Sequence, residues 1–277
     1  MGQNVKMMIK RIESRNNPTV KNITALRNKR EREEKRLFCF EGVHLLEEFL
    51  KSGNTPETIF VREDVTEKYS DLLSKANCET IEVTDSVYEK LTEEKAPQGI
   101  FTVAKYLKSV SFVGRDIAPS DLPNAVGGNA IMLVDLQDNG NVGTVIRTAA
   151  ALDCKVLLCG SCADVFSSKT VRATMGALFT GEIFICPDTL HTVGELKRSG
   201  RRVIAAALTE NAFTLGGFEI NETDVFAVGN EGKGLPPEII DNCSMTAIIP
   251  MSGKTESLNA AIASAVLLWE ARRGRMQ

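Results

Sequence analysis

Strongly apolar segments alternate with helical patterns through the second half of the chain. The apolar segments are AIMLVDLQ, KVLLCG, IFICPD, RRVIAAAL, DVFAVGN and SMTAIIPM, and helical patterns follow several of them. Strands that are apolar on both sides and alternate with helices are typical of a parallel sheet covered on both faces. We therefore predict an α/β domain over residues 129–277, in which ligands bind beyond the carboxyl ends of the strands.

A smaller α/β pattern occupies residues 1–106. Helices are predicted at TVKNITALRNKREREEKR, VHLLEEFLKSG, residues 65–76 and SVYEKLTE, and strands at LFCFEG, ETIFVRE, CETIEVT and GIFTVAKY. We expect Asp85 or Ser86 to cap the last of these helices. Residues 107–128 contain Pro, Gly, Ser and Asp without clear periodicity, and we interpret them as a linker between two domains.

Composition narrows the classes of protein to which the chain can belong. No apolar run approaches the roughly 20 residues that span a bilayer, and the start of the chain has no apolar signal segment. We therefore expect a cytoplasmic protein without a membrane partner. The seven cysteines, an odd number scattered along the chain, fit a reducing compartment better than a disulfide framework. The pair in CGSC, residues 159–162, lacks a second pair or a nearby histidine, so we expect buried thiols and no metal site.

The charge of the chain is unevenly distributed. Residues 1–36 contain 11 Lys/Arg and 4 Asp/Glu, whereas the rest of the chain contains 22 basic and 32 acidic residues. Binding to phosphates needs only one basic face, so we expect nucleic-acid contacts in the N-terminal part, with Arg27, Lys29 and Arg30 as candidates. The alternative is a solvated helical face with no partner.

Three polar turns each follow or precede one of the apolar segments. In the first, Asp138-Asn139-Gly140-Asn141 opens a helix whose buried stripe is formed by Val142, Val145, Ile146 and Ala149. Arg147 points away from that stripe. Considered alone, the pattern also fits a surface arginine on an amphipathic helix with Asn141 as its N-cap.

The second turn lies in VFAVGNEGKGLP, residues 225–236, where glycines cluster directly after a strand. Its G-x-x-G-x-G spacing differs from the dinucleotide-binding G-x-G-x-x-G, so a simple glycine-rich turn is the alternative. The third turn lies in IIPMSGKTESLN, where SGKT suggests a phosphate-binding P-loop. The first glycine of that motif would fall on Ile248, so we reject it. Capping of the last helix by Ser257 or Asn259 is the alternative.

In their order and spacing, over residues 129–275, these turns resemble the SpoU (TrmH-type) branch of the SPOUT RNA methyltransferases. Motif one of that family is matched by Asn141 and Arg147, although the proline usual between Asp138 and Asn141 is missing. Motif two is matched by Gly229, Glu231 and Gly234, and motif three by Ile249, Pro250, Met251, Gly253, Ser257, Leu258 and Asn259. The stretch VRATMGALF, with Arg172 and Phe179, matches a further family pattern.

The resemblance implies a fold that periodicity alone does not reveal. The C-terminal domain is expected to form a trefoil knot, to bind S-adenosylmethionine against the loops of motifs two and three, and to form a homodimer. Periodicity alone would have suggested an unknotted sheet. The N-terminal domain resembles the ribosomal-protein-like substrate-binding domain often fused to this catalytic domain, on the looser match of FEGVHLLEEFLKSG. The presence of that domain favours the interpretation that the RNA partner is rRNA and not tRNA.

The activity implied by the resemblance is methyl transfer from S-adenosylmethionine to a ribose 2′-hydroxyl of RNA, with no metal required. Arg147 is the expected activating residue. An arginine side chain is neutral in only about one molecule in 10⁵ near pH 7.5, so we favour electrostatic stabilisation of the forming alkoxide over proton abstraction. A tRNA substrate, or a catalytically silent RNA-binding relative, is the alternative function.

By the same resemblance, Asn141, Glu231, Ser257 and Asn259 orient Arg147 or the ribose. The residues expected to enclose the cofactor are Leu208, Gly229, Asn230, Ile249, Met251, Ser257, Leu258 and Asn259. We expect Arg172 to bind a substrate phosphate, with a structural ion pair as the equal alternative.

Overall fold

The computed structural model describes residues 10–254 and 257–273 and divides the chain into two compact units. The first contains the chain up to Leu107 together with Phe166–Phe179. The second contains Lys108–Val165 and the chain from Thr180 onward. Among the described residues, every helix is too short or too polar to span a membrane.

The first unit is built on a five-stranded mixed sheet. Its strands are β1 Lys10–Ile12, β2 Leu37–Glu41, β3 Thr58–Arg62, β4 Glu79–Val83 and β5 Ile100–Lys105. Its first five helices are α1 Pro18–Ala25, α2 Lys29–Lys35, α3 Val43–Lys51, α4 Ser70–Ala76 and α5 Asp85–Leu91. The strand order is β1-β4-β3-β5-β2, in which β5 runs antiparallel to both of its neighbours. Val20, Tyr88 and Phe101 are among the buried residues of a core that packs α1 and α5 on the sheet.

The second unit is built on an eight-stranded sheet in which every named strand pair is parallel. Its strands are β6 Val110–Phe112, β7 Ala130–Val134, β8 Lys155–Cys159, β9 Ile183–Cys186, β10 Val203–Ala206, β11 Phe213–Thr214, β12 Val225–Val228 and β13 Met245–Ile248. Its helices are α6 Leu122–Val126, α7 Asn139–Ala151, α9 Thr189–Arg198, α10 Pro237–Asn242 and α11 Ala260–Arg272. The strand order is β11-β13-β10-β12-β7-β8-β9-β6.

Helices cover both faces of this sheet, as the apolar strand patterns predicted. All five residues of β7 are buried. Ala130, Met132 and Val134 belong to a core shared with α6, α9 and α10. Because side chains alternate along a strand, Ile131 and Leu133 point to the other face, where α7 and α11 contact β7. The α/β class and the parallel sheet are confirmed.

Residues 108–128 differ from the linker that we predicted, because they form part of the second unit. Strand β6 extends the sheet by pairing with β9. Helix α6 is held by the buried guanidinium of Arg201, which donates hydrogen bonds to the carbonyls of Pro123, Gly127 and Gly128. A three-residue strand and a five-residue helix are too short to produce a recognisable periodicity.

The segment Phe166–Phe179 also differs from the prediction, which placed all of residues 129–277 in one domain. It contains α8 Ser168–Ala173 and packs within the first unit. Phe166 stacks on Tyr106 with ring centroids 3.9 Å apart, and Phe179 lies 5.2 Å from Phe40 and 5.0 Å from Phe49. Part of the stretch VRATMGALF, which matches a family pattern, therefore belongs to the core of the first unit.

Some predicted helices are shorter than expected. The helix predicted over residues 19–36 is two helices, because Asn28 caps α2 by accepting a hydrogen bond from the Arg30 N–H. Helix α8 is also short and ends at Ala173, before Met175 and Gly176, which have positive φ angles of 52° and 95°. Thr84, rather than Asp85 or Ser86, is the N-cap residue of α5.

Candidate active site

The first motif forms the start of α7. Asp138 is the N-cap, and its Oδ1 accepts a hydrogen bond from the Asn141 N–H at 2.7 Å. The alternative interpretation, with Asn141 as the cap, is therefore wrong. The predicted stripe of Val142, Val145, Ile146 and Ala149 is buried, and Arg147 is exposed. The side chain of Asn141 is consequently free to make other contacts.

Asn141 joins the three motifs through its side-chain amide. Its Nδ2 donates to Glu231 Oε1 at 2.9 Å, and its Oδ1 accepts from Asn259 Nδ2 at 3.1 Å. Asn259 also caps α11, because its Oδ1 accepts from the N–H groups of Ala261 and Ile262 at 2.9 and 3.3 Å. The three turns therefore meet in a continuous chain of hydrogen bonds, Asn259 to Asn141 to Glu231.

The loop of the second motif is a tight turn after β12. A Cβ atom on Gly229 would lie 2.1 Å from the carbonyl carbon of Gly234, so the turn cannot close with any larger residue. Asn230 and Gly234 exchange backbone hydrogen bonds of 3.2 and 2.8 Å, and Asn230 Oδ1 accepts from the N–H groups of Gly232 and Lys233. The glycines of this loop thus serve its own closure, which presents Glu231 to Asn141.

The residues expected to enclose a cofactor follow neighbouring strands. Leu208 follows β10, Gly229 follows β12 and Ile249 follows β13, and these strands are adjacent in the order β13-β10-β12. The carboxyl ends of parallel strands lie along one edge of a sheet. Close to that edge in sequence, three large apolar side chains are exposed: Leu208 at 87%, Met251 at 44% and Leu258 at 38%.

These exposed apolar side chains fit a ligand with an apolar face, such as an adenine ring. Ile249 is half-buried, and Ser257 is exposed two residues before Asn259. Arg147 is exposed, and no other residue in the described ranges forms a hydrogen bond or ion pair with its guanidinium.

The basic residues expected to contact RNA all lie in the first unit. Arg172 forms an ion pair with Glu94, as the structural alternative proposed. Arg27 donates to three carbonyl oxygens at the end of α5, those of Lys90, Leu91 and Thr92.

Lys29 lies 3.8 Å from Glu33, one helical turn further along α2. Arg30 is exposed. Of the four candidates, Arg27 and Arg172 therefore have structural contacts that any RNA would have to exchange or share.

Of the cysteine pair of CGSC, Cys159 is buried and Cys162 is half-buried against backbone carbonyls. Cys162 Sγ donates to the carbonyls of Leu133 and Cys159, both at 3.3 Å. Burial raises the pKa of Cys162 to about 11. A hydrogen bond with Cys186, together with burial, holds the pKa of Cys159 well above its usual range. Both groups are thus neutral thiols near neutral pH. In the described ranges, no three His, Cys, Asp or Glu side chains are grouped to hold a metal ion.

Sequence reasoning missed two aspartates at this site. Asp138 caps α7, and Asp135 follows β7 directly and contacts the loop of the second motif through its carbonyl. Asp138 could have been identified from its position three residues before Asn141, the spacing of an N-cap contact. Nothing in the local pattern distinguishes Asp135 from any polar residue at the end of a strand.

The comparisons with known proteins agree with this geometry. Residues 128–269 match the SpoU rRNA Methylase family, and residues 17–102 match the MRM3-like substrate binding domain. The chain is 35% identical over 270 residues to the 23S rRNA (guanosine(2553)-2′-O)-methyltransferase RlmP of Bacillus subtilis, covering 95% of this chain and 100% of that protein. The chain belongs to the SpoU rRNA methylase family.

Solved structures of relatives share the architecture. An AdoMet-bound rRNA methyltransferase from Sinorhizobium meliloti matches with a TM-score of 0.82 and 31% identity, over 97% of this chain and 99% of that one. An RNA 2′-O ribose methyltransferase matches with a TM-score of 0.78 and 26% identity, over 96% of this chain and 100% of that one. The similarity to these relatives thus extends over both units of the chain.

Proposed function

We propose that this SpoU protein transfers a methyl group from S-adenosylmethionine to a ribose 2′-hydroxyl of ribosomal RNA. The observation that carries the proposal is the hydrogen-bonded chain Asn259–Asn141–Glu231, which joins the three family motifs beside the helix of Arg147. The relatives support the substrate class, since the Bacillus subtilis protein is a 23S rRNA 2′-O-methyltransferase.

The residues at the carboxyl edge of the sheet suit S-adenosylmethionine. Leu208, Met251 and Leu258 present exposed apolar surface for the adenine, and the backbone after β12 and β13 supplies polar groups. When bound, the cofactor supplies an electrophilic methyl group on a sulfonium, which needs no metal for activation. The structure of the Sinorhizobium meliloti relative is that of an AdoMet-bound protein, which supports this assignment.

Arg147 acts on the ribose oxygen by electrostatics. An alcohol is a weak nucleophile at neutral pH, so the negative charge that develops on its oxygen must be stabilised as its proton leaves to solvent. The exposed guanidinium of Arg147 favours the ionised oxygen without giving up its own proton. The hydrogen bond between Asn141 and Glu231 holds the start of α7 against the loop after β12. It thereby fixes the position of Arg147 relative to the loops that bind the cofactor.

The proposal includes a homodimer formed through the C-terminal domain. Ile262 and Trp269 lie on α11 with 54% and 52% of their surfaces exposed, an apolar pair that a second copy would cover. The trefoil knot implied by family resemblance is also part of the proposal. Its support is the return of α11 to the middle of the sheet, where it contacts α7, β7 and β12.

A cytoplasmic location completes the proposal and is supported by seven free cysteines, which a reducing compartment preserves. The first unit is the RNA-binding unit, with Arg27, Lys29, Arg30 and Arg172 as its candidate phosphate contacts. Its match to the MRM3-like substrate binding domain supports this role.

The experiment that tests the proposal uses methyl-labelled S-adenosylmethionine with separate rRNA and tRNA transcripts, followed by mapping of the modified ribose. We expect label in rRNA at one 2′-oxygen. The Arg147→Ala variant should lose activity by about 10²-fold or more while it binds the cofactor as the wild type does. Arg198→Ala, another exposed arginine of the second unit, is the matched control that should retain activity.

Each other outcome identifies a specific alternative. Label in tRNA alone would identify a tRNA enzyme. Absence of both methylation and cofactor binding would indicate a silent RNA-binding relative. Full activity of Arg147→Ala would contradict the role given to that residue.

A further inference from the structure

Asp135, the first residue after β7, has an unusual backbone conformation. Its φ angle is 53°, in the left-handed region that L-residues other than Gly, Asn and Asp rarely adopt. Its N–H donates to the carbonyl of Cys159 at the end of β8, at 3.1 Å. A strained residue at the carboxyl edge of the sheet persists only where surrounding contacts hold it.

The carboxylate of Asp135 holds the loop after β8. Its Oδ1 accepts a hydrogen bond from the Ser161 N–H at 2.7 Å. The preceding residue, Gly160, has a φ of 67°, and a Cβ atom there would lie 2.4 Å from the same Oδ1. The loop after β8 is therefore fitted to this carboxylate, and no larger residue than glycine can take the place of Gly160 without displacing it.

The carbonyl of Asp135 holds the loop of the second motif. It accepts a hydrogen bond from Asn230 Nδ2 at 3.0 Å. The Oδ1 of the same Asn230 accepts hydrogen bonds from the N–H groups of Gly232 and Lys233, the two residues that follow Glu231. The conformation of Asp135 thus determines where Asn230 sits, and Asn230 determines the path of the chain through Glu231.

We propose that Asp135 is a positioning residue for methyl transfer. By anchoring Asn230, it fixes Glu231 at hydrogen-bond distance from Asn141, and so holds together the turns that surround the reacting groups. This inference rests on the proposed function, which it deepens by adding a residue outside the three turns described above. Asp135 touches neither cofactor nor RNA in this scheme, and it acts through Asn230.

Two substitutions at Asp135 compare a side chain that keeps the local contacts with one that removes them. Asp135→Asn keeps an Oδ1 acceptor for Ser161 and tolerates the left-handed conformation, so kcat should stay within about threefold of the wild-type value. Asp135→Gly removes the strain and also the acceptor, which frees the local backbone. We expect kcat to fall about 10²-fold, the size of effect that follows from small misplacement of reacting groups.

A substitution at Asn230 tests the same contact from the other side. Asn230→Asp keeps the Oδ1 that holds Gly232 and Lys233 and replaces only the donor that faces the Asp135 carbonyl. We expect a comparable loss of kcat. The double variant Asp135→Gly with Asn230→Asp should be no worse than the more severe single variant, because the first change loosens and the second removes the same contact between the residue 135 carbonyl and the residue 230 side chain.

The measurements are kcat and the RNA KM at saturating cofactor, calorimetric binding of S-adenosylmethionine, and the melting temperature. A loss of kcat at a temperature well below melting, with an unchanged RNA KM, supports a positioning role. The positioning role is overturned if kcat falls only in proportion to the loss of melting temperature. It is also overturned if the losses of kcat in the two single variants multiply in the double variant. If Asp135→Gly does not fold, Asn230→Asp decides the question.

Failure of the proposed function has a different signature. A wild-type protein that neither binds S-adenosylmethionine nor methylates any transcript overturns the function and the positioning role together. A wild-type protein that methylates RNA, with variants that do so equally well, overturns the positioning role alone.

Discussion

The amide of Asn141 can take only one orientation between its two neighbours. The Glu231 carboxylate accepts hydrogen bonds and donates none, so Asn141 Nδ2 must face it. The Oδ1 then faces the Nδ2 of Asn259. Asn259 must turn its own Oδ1 to the N–H groups of α11, so the orientations of both side-chain amides are determined.

Reversing this polarity should impair activity. Asn141→Asp places a carboxylate against Glu231, and we expect repulsion to separate the loops and lower kcat by about 10²-fold. The double variant Asn141→Asp with Glu231→Gln has a donor and an acceptor in reversed order. Its kcat should be at least about tenfold higher than that of Asn141→Asp alone. Methylation kinetics of the single and double variants test this. Equal activity of Asn141→Asp and the wild type would contradict the described role of the chain.

A second prediction at the scale of single residues concerns pH. Cys154 is buried, and burial raises the pKa of its thiol to about 11, from a usual value of 9.0. The unfolded chain therefore loses this proton above about pH 9, whereas the folded chain retains it until about pH 11. The stabilisation is fully present below pH 9 and is lost as the pH rises through 11.

Urea unfolding of the wild type and of Cys154→Ala at pH 8 and pH 10.5 measures this contribution. The difference in unfolding free energy between the two proteins should change by about 2 kcal/mol in favour of the variant at the higher pH. A difference that does not depend on pH would show that Cys154 does not titrate differently in the two states.

Motif spacing predicted the residues of the hydrogen-bonded chain but not those that support it. Asn141, Glu231 and Asn259 were identified because each lies at a fixed place in a recognisable turn. The contact of Asp135 with Asn230 depends on how strands β7 and β12 pair, which a local pattern does not contain. The ion pair of Arg172 with Glu94 could not be predicted for a similar reason, since the two residues lie far apart in the sequence.

At the scale of elements, α11 begins at a residue with two functions. Asn259 caps the helix and also donates to Asn141. Asp188 caps α9 in the same manner, by accepting from the His191 N–H at 2.9 Å, but it does not belong to the motif chain. Both residues cap a helix, but only Asn259 contacts the motif residues. Substituting each of them therefore separates the effect of losing a cap from the effect on activity.

We expect Asn259→Ala and Asp188→Ala each to lower the unfolding free energy by about 1 kcal/mol, the usual effect of losing an N-cap. Only Asn259→Ala should reduce methylation by more than about tenfold. Chemical denaturation and methylation assays on both variants provide the comparison. Equal activity of the two variants would mean that the contact with Asn141 has no role in the reaction.

The elements found from sequence are those with long patterns. Buried strands such as β7, and helix α7 with its apolar stripe, were predicted close to their observed bounds. Strands β1, β6 and β11, with two or three residues each, were missed, as were α6 and α10. Such short elements are stabilised by their neighbours in the sheet or core, and their own sequence contains too few residues to show a period.

At the scale of the whole molecule, the most unexpected feature is the segment Phe166–Phe179. Phe166 and Phe179 are almost fully buried in the first unit, although they lie between strands β8 and β9 of the second. A sequence pattern assigns a segment to a domain by its neighbours along the chain. It cannot reveal a segment that leaves one unit to pack in the core of another.

Two phenylalanines close in sequence should therefore stabilise different units. Phe179→Ala removes a ring that contacts Phe40 and Phe49, and should lower the stability of the first unit by about 3–5 kcal/mol. Phe184→Ala, on β9, should have a similar effect on the second unit. Hydrogen exchange on the full-length variants should show lost protection in β2 for the former and in β8 for the latter. Loss of protection in the same strands for both variants would contradict the assignment of Phe179 and Phe184 to different units.

The path of residues 166–179 has a consequence for engineering. Replacing the amino-terminal third of this protein with that of a relative, by a single junction near Leu107, would leave the native aromatic insert facing a foreign sheet. A functional chimera needs two grafts, the leading portion and the fourteen-residue insert that accompanies it. Exchange of the complete first unit therefore requires both pieces of sequence to be transplanted together.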